Sequence, residues 1–393
     1  MAILNFFRSI IAWIITFGMF IYGSFAGVNY FDLIGKYKKN VEKVGYENTM
    51  KTAVPQTEIY KIIDTFLKDK LPEGKTEKKV IMIGFDGCRA DALTLTKEDS
   101  AIRRVSGNGG QLVLAYCGGV NYPAVNTQAT STAPGWCTML TGVWADVHGI
   151  KDNGVPKSND HLTLLTTAVE DGTIDSSAFY VSWGGHFSGE DTTYINEKKY
   201  IEEKDLAVKF VKADDDAGTK ANVLNDVKSE NCSDFIFSIL EFCDHTGHGS
   251  GFSIKNPEYQ KAFQDAEDAA NEIIDAIESR ATYSTEDWLI LMSSDHGGYN
   301  TGHGGPTMME RYIHIAANKK YISIGATSNE SGHNMAPATC TKPSKCRNCG
   351  YTEGVALGHK FNDKGVCERC GAKGTNYVEP TTKPVDDDTP HVD

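Results

Sequence analysis

The chain has 393 residues, 40% of them hydrophobic, and a formal net charge of −13. That length allows one large α/β domain with appendages or two ordinary domains, and the apolar share suffices for a sizeable core. No basic stripe is present, which argues against nucleic acid as a partner; the acidity reads as solubility, part of it contributed by the tail.

Residues 9–31 (SIIAWIITFGMFIYGSFAGVNYF) carry no charge and follow Arg8, long enough for a transmembrane helix. A signal peptide cut after Ser24-Phe25-Ala26 is one reading. The apolar run continues past that site, so an uncleaved signal anchor is preferred. Lys36, Lys38, Lys39 and Lys43 would favour a cytoplasmic side by the positive-inside rule. Long domains translocate largely regardless of such charges, so the expected location is the extracellular side of the membrane, or secretion. Residues 32–77 are charged and helix-leaning. The spacing of Ile59, Ile62, Ile63, Phe66 and Leu67 predicts a helix, and the segment is read as a stalk and leading helix.

Then "KKVIMIGFDG" gives a short apolar run ending in Asp86-Gly87, the pattern of a buried parallel strand. Similar runs recur at 177–183, 234–242 and 287–295, and residues 257–279 carry helical periodicity. Strands alternating with helices predict a mostly parallel sheet sandwiched by helices over 78–328. Ligands in such folds sit beyond the carboxyl ends of the strands. Asp86, Asp244 and Asp295 each fall at or just after the end of an apolar run.

From Asn329 the composition changes. Cys346-x-x-Cys349 and Cys367-x-x-Cys370, each followed by Gly, form a short internal repeat with His333 and His359. The spacing suits a small zinc-ribbon-like module over 329–373, so a structural zinc on the four thiolates is expected in preference to disulfides. Cys340, His333 and His359 are alternative ligands. Residues 374–393, rich in Pro, Thr and Asp, read as a disordered tail.

The acids and histidines form a constellation: Asp86, then Asp244 and His248 in "DHTGHGSG", then Asp295, His296 and His303 in "SSDHGGYNTGHGG". Carboxylates and neutral imidazoles suit zinc and similar divalent ions, and several anionic oxygens favour two ions side by side. Such a pair can clamp the attacking and leaving oxygens of an in-line displacement at phosphorus. Thr132, two residues before Pro134 at the start of a helix-like run, offers a nucleophile near a helix N-terminus. A threonine hydroxyl needs activation, and metal coordination is one means.

At these residues the sequence resembles the alkaline phosphatase superfamily, in its type I phosphodiesterase/nucleotide pyrophosphatase branch. The resemblance spans about 78–315 and is carried by motifs in order: "IGFDGCRADAL", "TAPGWCTMLTGVWADVHGI", "DHTGHGSG", and "SSDHGG" followed by "GHGG". It implies an alkaline phosphatase-like fold and two divalent ions, expected to be Zn²⁺. One would be held by Asp244, His248 and His303, the other by Asp86, Asp295, His296 and the Thr132 oxygen. It implies hydrolysis of a small phosphoric ester, a nucleotide or other diester, through a phosphothreonine intermediate. The alternatives are a phosphoethanolamine or phosphoglycerol transferase of the same superfamily, whose members usually have several membrane spans, and a catalytically dead surface binding protein.

Gly135 stands where the branch usually carries an Asn that helps bind the phosphate. Thr132 argues against a sulfatase, whose formylglycine is made from Cys or Ser. The remaining candidates take plainer readings. His245 is a loop residue, His148 and His186 satisfy local hydrogen bonds, and His314 sits in a strand. Cys88, Cys137, Cys232 and Cys243 are small buried hydrophobes.

Overall fold

The computed structural model describes residues 53–107, 109–118, 128–154 and 161–322. In the C-terminal part it describes 335–336, 339–346, 352–353, 356–368, 370 and 372–375. The expected membrane segment at 9–31 and the tail beyond 375 lie outside the described residues. Among those described, no helix is long and apolar enough to cross a membrane.

The apolar runs are strands of one sheet. Its members are β1 (Val54–Pro55), β2 (Glu77–Phe85), β3 (Gln111–Tyr116), β4 (Ser177–Val181), β5 (Val208–Lys212), β6 (Phe235–Leu240), β7 (Glu286–Ser293) and β8 (Tyr312–Ala317), in the order β1-β3-β8-β7-β2-β6-β4-β5. All neighbours run parallel except β8, which is antiparallel to both β3 and β7. The sheet is therefore mixed, with a parallel centre.

Both faces are covered. Val80 and Met82 of β2 join a cluster with Ile59, Ile63 and Phe66 of α1 (Glu58–Lys68) and with Trp136, Met139 and Leu140 of α2 (Thr132–Thr141). Ile81, Ile83 and Phe85 face the other way, toward the layer that includes Tyr259, Phe263, Ala270 and Ile274. Alternate side chains of β2 thus enter two separate cores. That is why the strand reads as a continuous apolar run and not as an alternating one. The described part of the segment read as stalk and leading helix supplies edge strand β1 and helix α1 to this unit. Each fully buried apolar side chain of α1 contributes at most about 1.5–3 kcal/mol.

The register decides where the chemistry falls. Phe85 of β2 lies opposite Leu240 of β6, and Gly84 lies opposite Ser293 of β7. The three central strands therefore end level, and the residues that follow emerge along one edge. After β6 the chain turns into α3 (Phe242–Ser250), with Asp244 in its first turn and His248 in its last. It then enters the long amphipathic α4 (Pro257–Glu278), whose start is fixed by Asn256 capping the Glu258 N–H and by proline at its first position.

The chain divides into two units between residues 324 and 325. In the C-terminal unit, β9 (Met335–Ala336), β10 (Ser344–Cys346) and β11 (Thr352–Glu353) pair antiparallel with β10 in the middle.

Candidate active site

Asp86 leaves the end of β2 completely buried, and its Oδ2 accepts from the Trp136 indole N–H at 3.0 Å. Gly87 follows at φ +66°, and a Cβ there would stand 2.8 Å from Asp244, so the turn requires glycine. The Gly87 N–H donates to Asp295 Oδ1 at 3.2 Å, tying the ends of β2 and β7 together. His296 donates from Nδ1 to the Gly297 carbonyl at 2.6 Å. Its Nε2 then lies 3.2 Å from Asp295 Oδ2, 3.5 Å from Asp86 Oδ1 and 3.3 Å from Thr132 Oγ1. The Thr132 hydroxyl, at the first residue of α2, donates to Asp86 Oδ1 at 3.4 Å.

A second group adjoins the first. His248 Nδ1 donates to the Thr301 carbonyl at 3.0 Å, and His303 Nδ1 donates to the Thr130 carbonyl at 3.0 Å. Their Nε2 atoms lie 3.4 Å and 3.7 Å from the two carboxylate oxygens of Asp244. The His296 and His303 rings stack with centroids 3.9 Å apart, so the two groups form one continuous cluster. In all three histidines a carbonyl, which can only accept, fixes the proton on Nδ1 and leaves the Nε2 lone pair turned toward carboxylates.

Burial dominates the electrostatics of the site. Burial, then Asp295 and Asp244, push the Asp86 carboxyl well above the usual carboxylate range. Burial and Asp244 do the same to Asp295, and burial raises Asp244 to about 6. Burial drives His296 well below the usual imidazole value and His303 down to about 4. Asp295 Oδ2 and Asp244 Oδ1 are buried without a hydrogen-bond partner among the described residues. An orphaned carboxylate oxygen inside a protein costs far more than a solvated one unless a cation meets it. Neutral imidazoles with free Nε2 atoms beside such oxygens are the donors that divalent zinc-like ions take. Donor atoms of Asp86, Asp295 and His296 lie within 4.8 Å of one another, as do those of Asp244, His296 and His303, so the residues present fit divalent ions at two adjoining positions that share His296, with His248 beside the same Asp244 carboxylate.

A helix-sandwiched α/β sheet with carboxylates, imidazoles and a hydroxyl gathered at its carboxyl edge defines a class of domain with a candidate metal centre. Within that class, the chain belongs to the type I phosphodiesterase/nucleotide pyrophosphatase family, whose model matches residues 80–338. Among solved structures it is similar to murine ectonucleotide pyrophosphatase/phosphodiesterase 5, with 18% identity over 56% of this chain and 57% of that one, at a TM-score of 0.40. It is also similar to a 2-O GAG sulfatase (10% identity, 62% and 64% coverage, TM-score 0.42). A third is the phosphonate monoester hydrolase of Agrobacterium radiobacter (10%, 61% and 68%, 0.39). The chain thus spans little more than half of the murine protein it matches. A comparison with curated proteins gives no match.

Several contributors escape a sequence reading. Trp136 lies one helical turn beyond Thr132, the spacing that brings its indole back to Asp86. Gly84 makes room for it, since a Cβ there would stand 2.5 Å from the indole. Asn153 Oδ1 accepts from the Ala133 N–H at 2.8 Å, at the start of α2. Ser131 Oγ lies 3.3 Å from His303 Nδ1. Gly135, where the resemblance leads one to expect Asn, packs on Asp295, and even a Cβ would come within 2.9 Å of it. Any contact Asn would make there must come from another residue.

His148 bonds locally as expected, to Thr138 and the Ile150 N–H. His186 does not. Its ring is buried among Phe179, Trp183 and Tyr194, and neither nitrogen has a hydrogen-bond partner among the described residues. His314 lies in β8, as read. Cys88, Cys137, Cys232 and Cys243 are buried thiols. In the C-terminal unit the described residues bring Cys367 and Cys370 together with Cys340 and His359, the latter two having been read as alternative ligands. Cys346 lies in β10 with its side chain undescribed, and Cys349 lies outside the described residues.

Proposed function

We propose that this chain hydrolyses phosphoric diesters, nucleotides among them, with two divalent ions and Thr132 as nucleophile. The observation that carries the reading is the shared orientation of the three histidines, each with Nδ1 bound to a carbonyl and Nε2 beside a carboxylate, with Thr132 Oγ1 in contact with Asp86 and His296. The diester preference and the nucleotide class rest on family membership.

Bound divalent ions, zinc by the donor set, would supply charge stabilisation at the ester oxygens and lower the pKa of hydroxyl and water. Asp86, Asp295 and His296 would hold one and Asp244, His248 and His303 the other. The chain's own residues do the rest. Thr132 Oγ1 attacks phosphorus, the P–O bond to the leaving alcohol breaks, and the threonine is left as a phosphodiester or phosphomonoester of its hydroxyl. Water then cleaves that Thr–O–P bond and restores the hydroxyl. Thr132 stands at the N-terminus of α2, whose dipole favours the negative charge brought there. Trp136 donates to Asp86, which orients the carboxylate and opposes the upward push of burial. We further place the domain outside the cell, anchored by residues 9–31 or released; protease accessibility on intact cells tests this.

The test is hydrolysis of bis- and mono-p-nitrophenyl phosphate by the full chain, with and without a chelator, beside Thr132→Ala. The reading expects a loss of at least about a thousandfold in the variant, typical for removal of a covalent nucleophile. It also expects chelator-sensitive activity restored by zinc. Full activity of Thr132→Ala would overturn the nucleophile; chelator-insensitive turnover would overturn the metals.

A further inference from the structure

The C-terminal unit holds a cluster that plays no part in the proposed catalysis. Cys340 Sγ lies 3.6 Å from Cys367 Sγ, and Cys370 Sγ lies 3.4 Å from His359 Nδ1. One donor atom from each of the four lies within 4.8 Å of all the others. Two thiolates about 2.3 Å from a tetrahedral zinc stand roughly 3.8 Å apart. A thiolate and an imidazole nitrogen, the latter about 2.0–2.1 Å from the ion, stand roughly 3.5 Å apart. Both separations are close to the edges of such a tetrahedron. A disulfide would need Cys340 and Cys367 about 1.5 Å closer, at the roughly 2.05 Å of an S–S bond, and would leave Cys370 facing an imidazole.

The surrounding chain is arranged for the same end. The Cys367 N–H bonds to the Ala372 carbonyl at 2.8 Å and the Glu368 N–H to the Lys360 carbonyl at 2.9 Å, closing the Cys-x-x-Cys knuckle. The His359 ring stacks on Phe361 at 5.4 Å, which holds its orientation. The described strands of this unit are two or three residues long and can bury little, the circumstance in which a bound metal supplies folding energy.

We propose that Cys340, His359, Cys367 and Cys370 form a structural Cys₃His site for a zinc-like divalent ion. The site joins a cysteine near the start of the first repeat to the histidine and the Cys-x-x-Cys of the second, so the two repeats fold as one metal-closed module.

Cobalt substitution in the full chain tests this, because thiolate ligands give Co²⁺ an intense near-ultraviolet charge-transfer band that the oxygen and nitrogen donors at the sheet edge cannot give. The wild-type chain should show the band. Cys340→Ser and Cys367→Ser should each lose most of it, and Cys370→His should keep cobalt with a weaker band. Cys346→Ser and Cys349→Ser should leave the band unchanged. Circular dichroism of each variant checks that the large domain is folded. A wild-type chain without the band, or one whose cysteines prove oxidised on alkylation under native conditions, would overturn the site. A band lost equally in Cys346→Ser or Cys349→Ser would overturn this ligand set.

Discussion

Trp136→Phe isolates one hydrogen bond at the candidate centre. The indole N–H, fully buried, donates to Asp86 Oδ2 at 3.0 Å and pulls the Asp86 carboxyl down against burial and its acidic neighbours. A buried hydrogen bond to a charged group is worth about 1.5–3 kcal/mol. A cation takes only the ionised carboxylate, so losing the donor weakens cation binding by that amount. At ~1.4 kcal/mol per decade this is roughly 10- to 150-fold. The range overlaps the 10- to 100-fold expected when a group that orients a metal ligand is removed. Zinc affinity measured by competition with a chromogenic chelator reads the effect directly. Phenylalanine also gives up packing, so the control is Phe237→Leu, which loosens the same contact, centroids 5.4 Å apart, without touching the hydrogen bond. That variant should lose stability and keep its zinc affinity. Affinity in Trp136→Phe within twofold of wild type, or an equal shift in Phe237→Leu, would refute the reasoning.

Gly84→Ala should destabilise the fold by about 1–3 kcal/mol, as overpacking does, because the new Cβ would stand 2.5 Å from the Trp136 ring; denaturant unfolding measures this. Glu267 is buried, with one carboxylate oxygen unpartnered among the described residues, and burial raises it from 4.5 to about 7. A raised carboxyl stabilises the fold at low pH, and that contribution is lost as pH climbs from about 4.5 through about 7. At ~1.4 kcal/mol per pH unit the loss comes to about 3–4 kcal/mol. Glu267→Gln should therefore flatten the pH profile of stability and exceed wild type at pH 8; identical profiles would reject the assignment. Zinc at a hundredfold excess over its dissociation constant should raise unfolding stability by about 2.7 kcal/mol per site, and Asp244→Ala should remove one site's share in calorimetry.

The sheet was largely legible because its central strands enter two cores and so leave long apolar runs, and because Asp86, Asp244 and Asp295 sit where those runs stop. Less legible was what depends on pairing across the chain. The antiparallel direction of β8 leaves no mark in "YIHIAA", since a buried strand looks alike in either orientation. Trp136 could have been noticed from its helical spacing to Thr132, but only the fold shows that the indole reaches back to Asp86. Asn153 had no local cue: it caps α2 from 20 residues away. The two Cys-x-x-Cys pairs gave the strongest spacing signal, with Cys340 and His359 as alternative ligands. Cys340 and His359, isolated in sequence, are the donors the backbone brings to Cys367 and Cys370.

The run "SSDHGGYNTGHGG" shows how the two kinds of information combine. Its residue types alone fit one Asp-His-His site. In the fold Asp295 and His296 stand beside Asp86, while His303 turns toward Asp244 beside His248, with His296 within reach of both groups. The stacking of His296 on His303 holds the groups together, and the intervening segment doubles back through the paired Tyr299 and Gly302. Glycines are needed along this path because other chain elements crowd it. A Cβ at Gly297 would meet the Met309 carbonyl at 2.0 Å, and one at Gly298 would meet the Phe252 ring at 2.2 Å. Gly297 and Gly298 are thus places where neighbouring chain leaves no space, while Gly304 is needed for its backbone, at φ +103°, and the tight loop they permit is what carries one segment across both halves of the site.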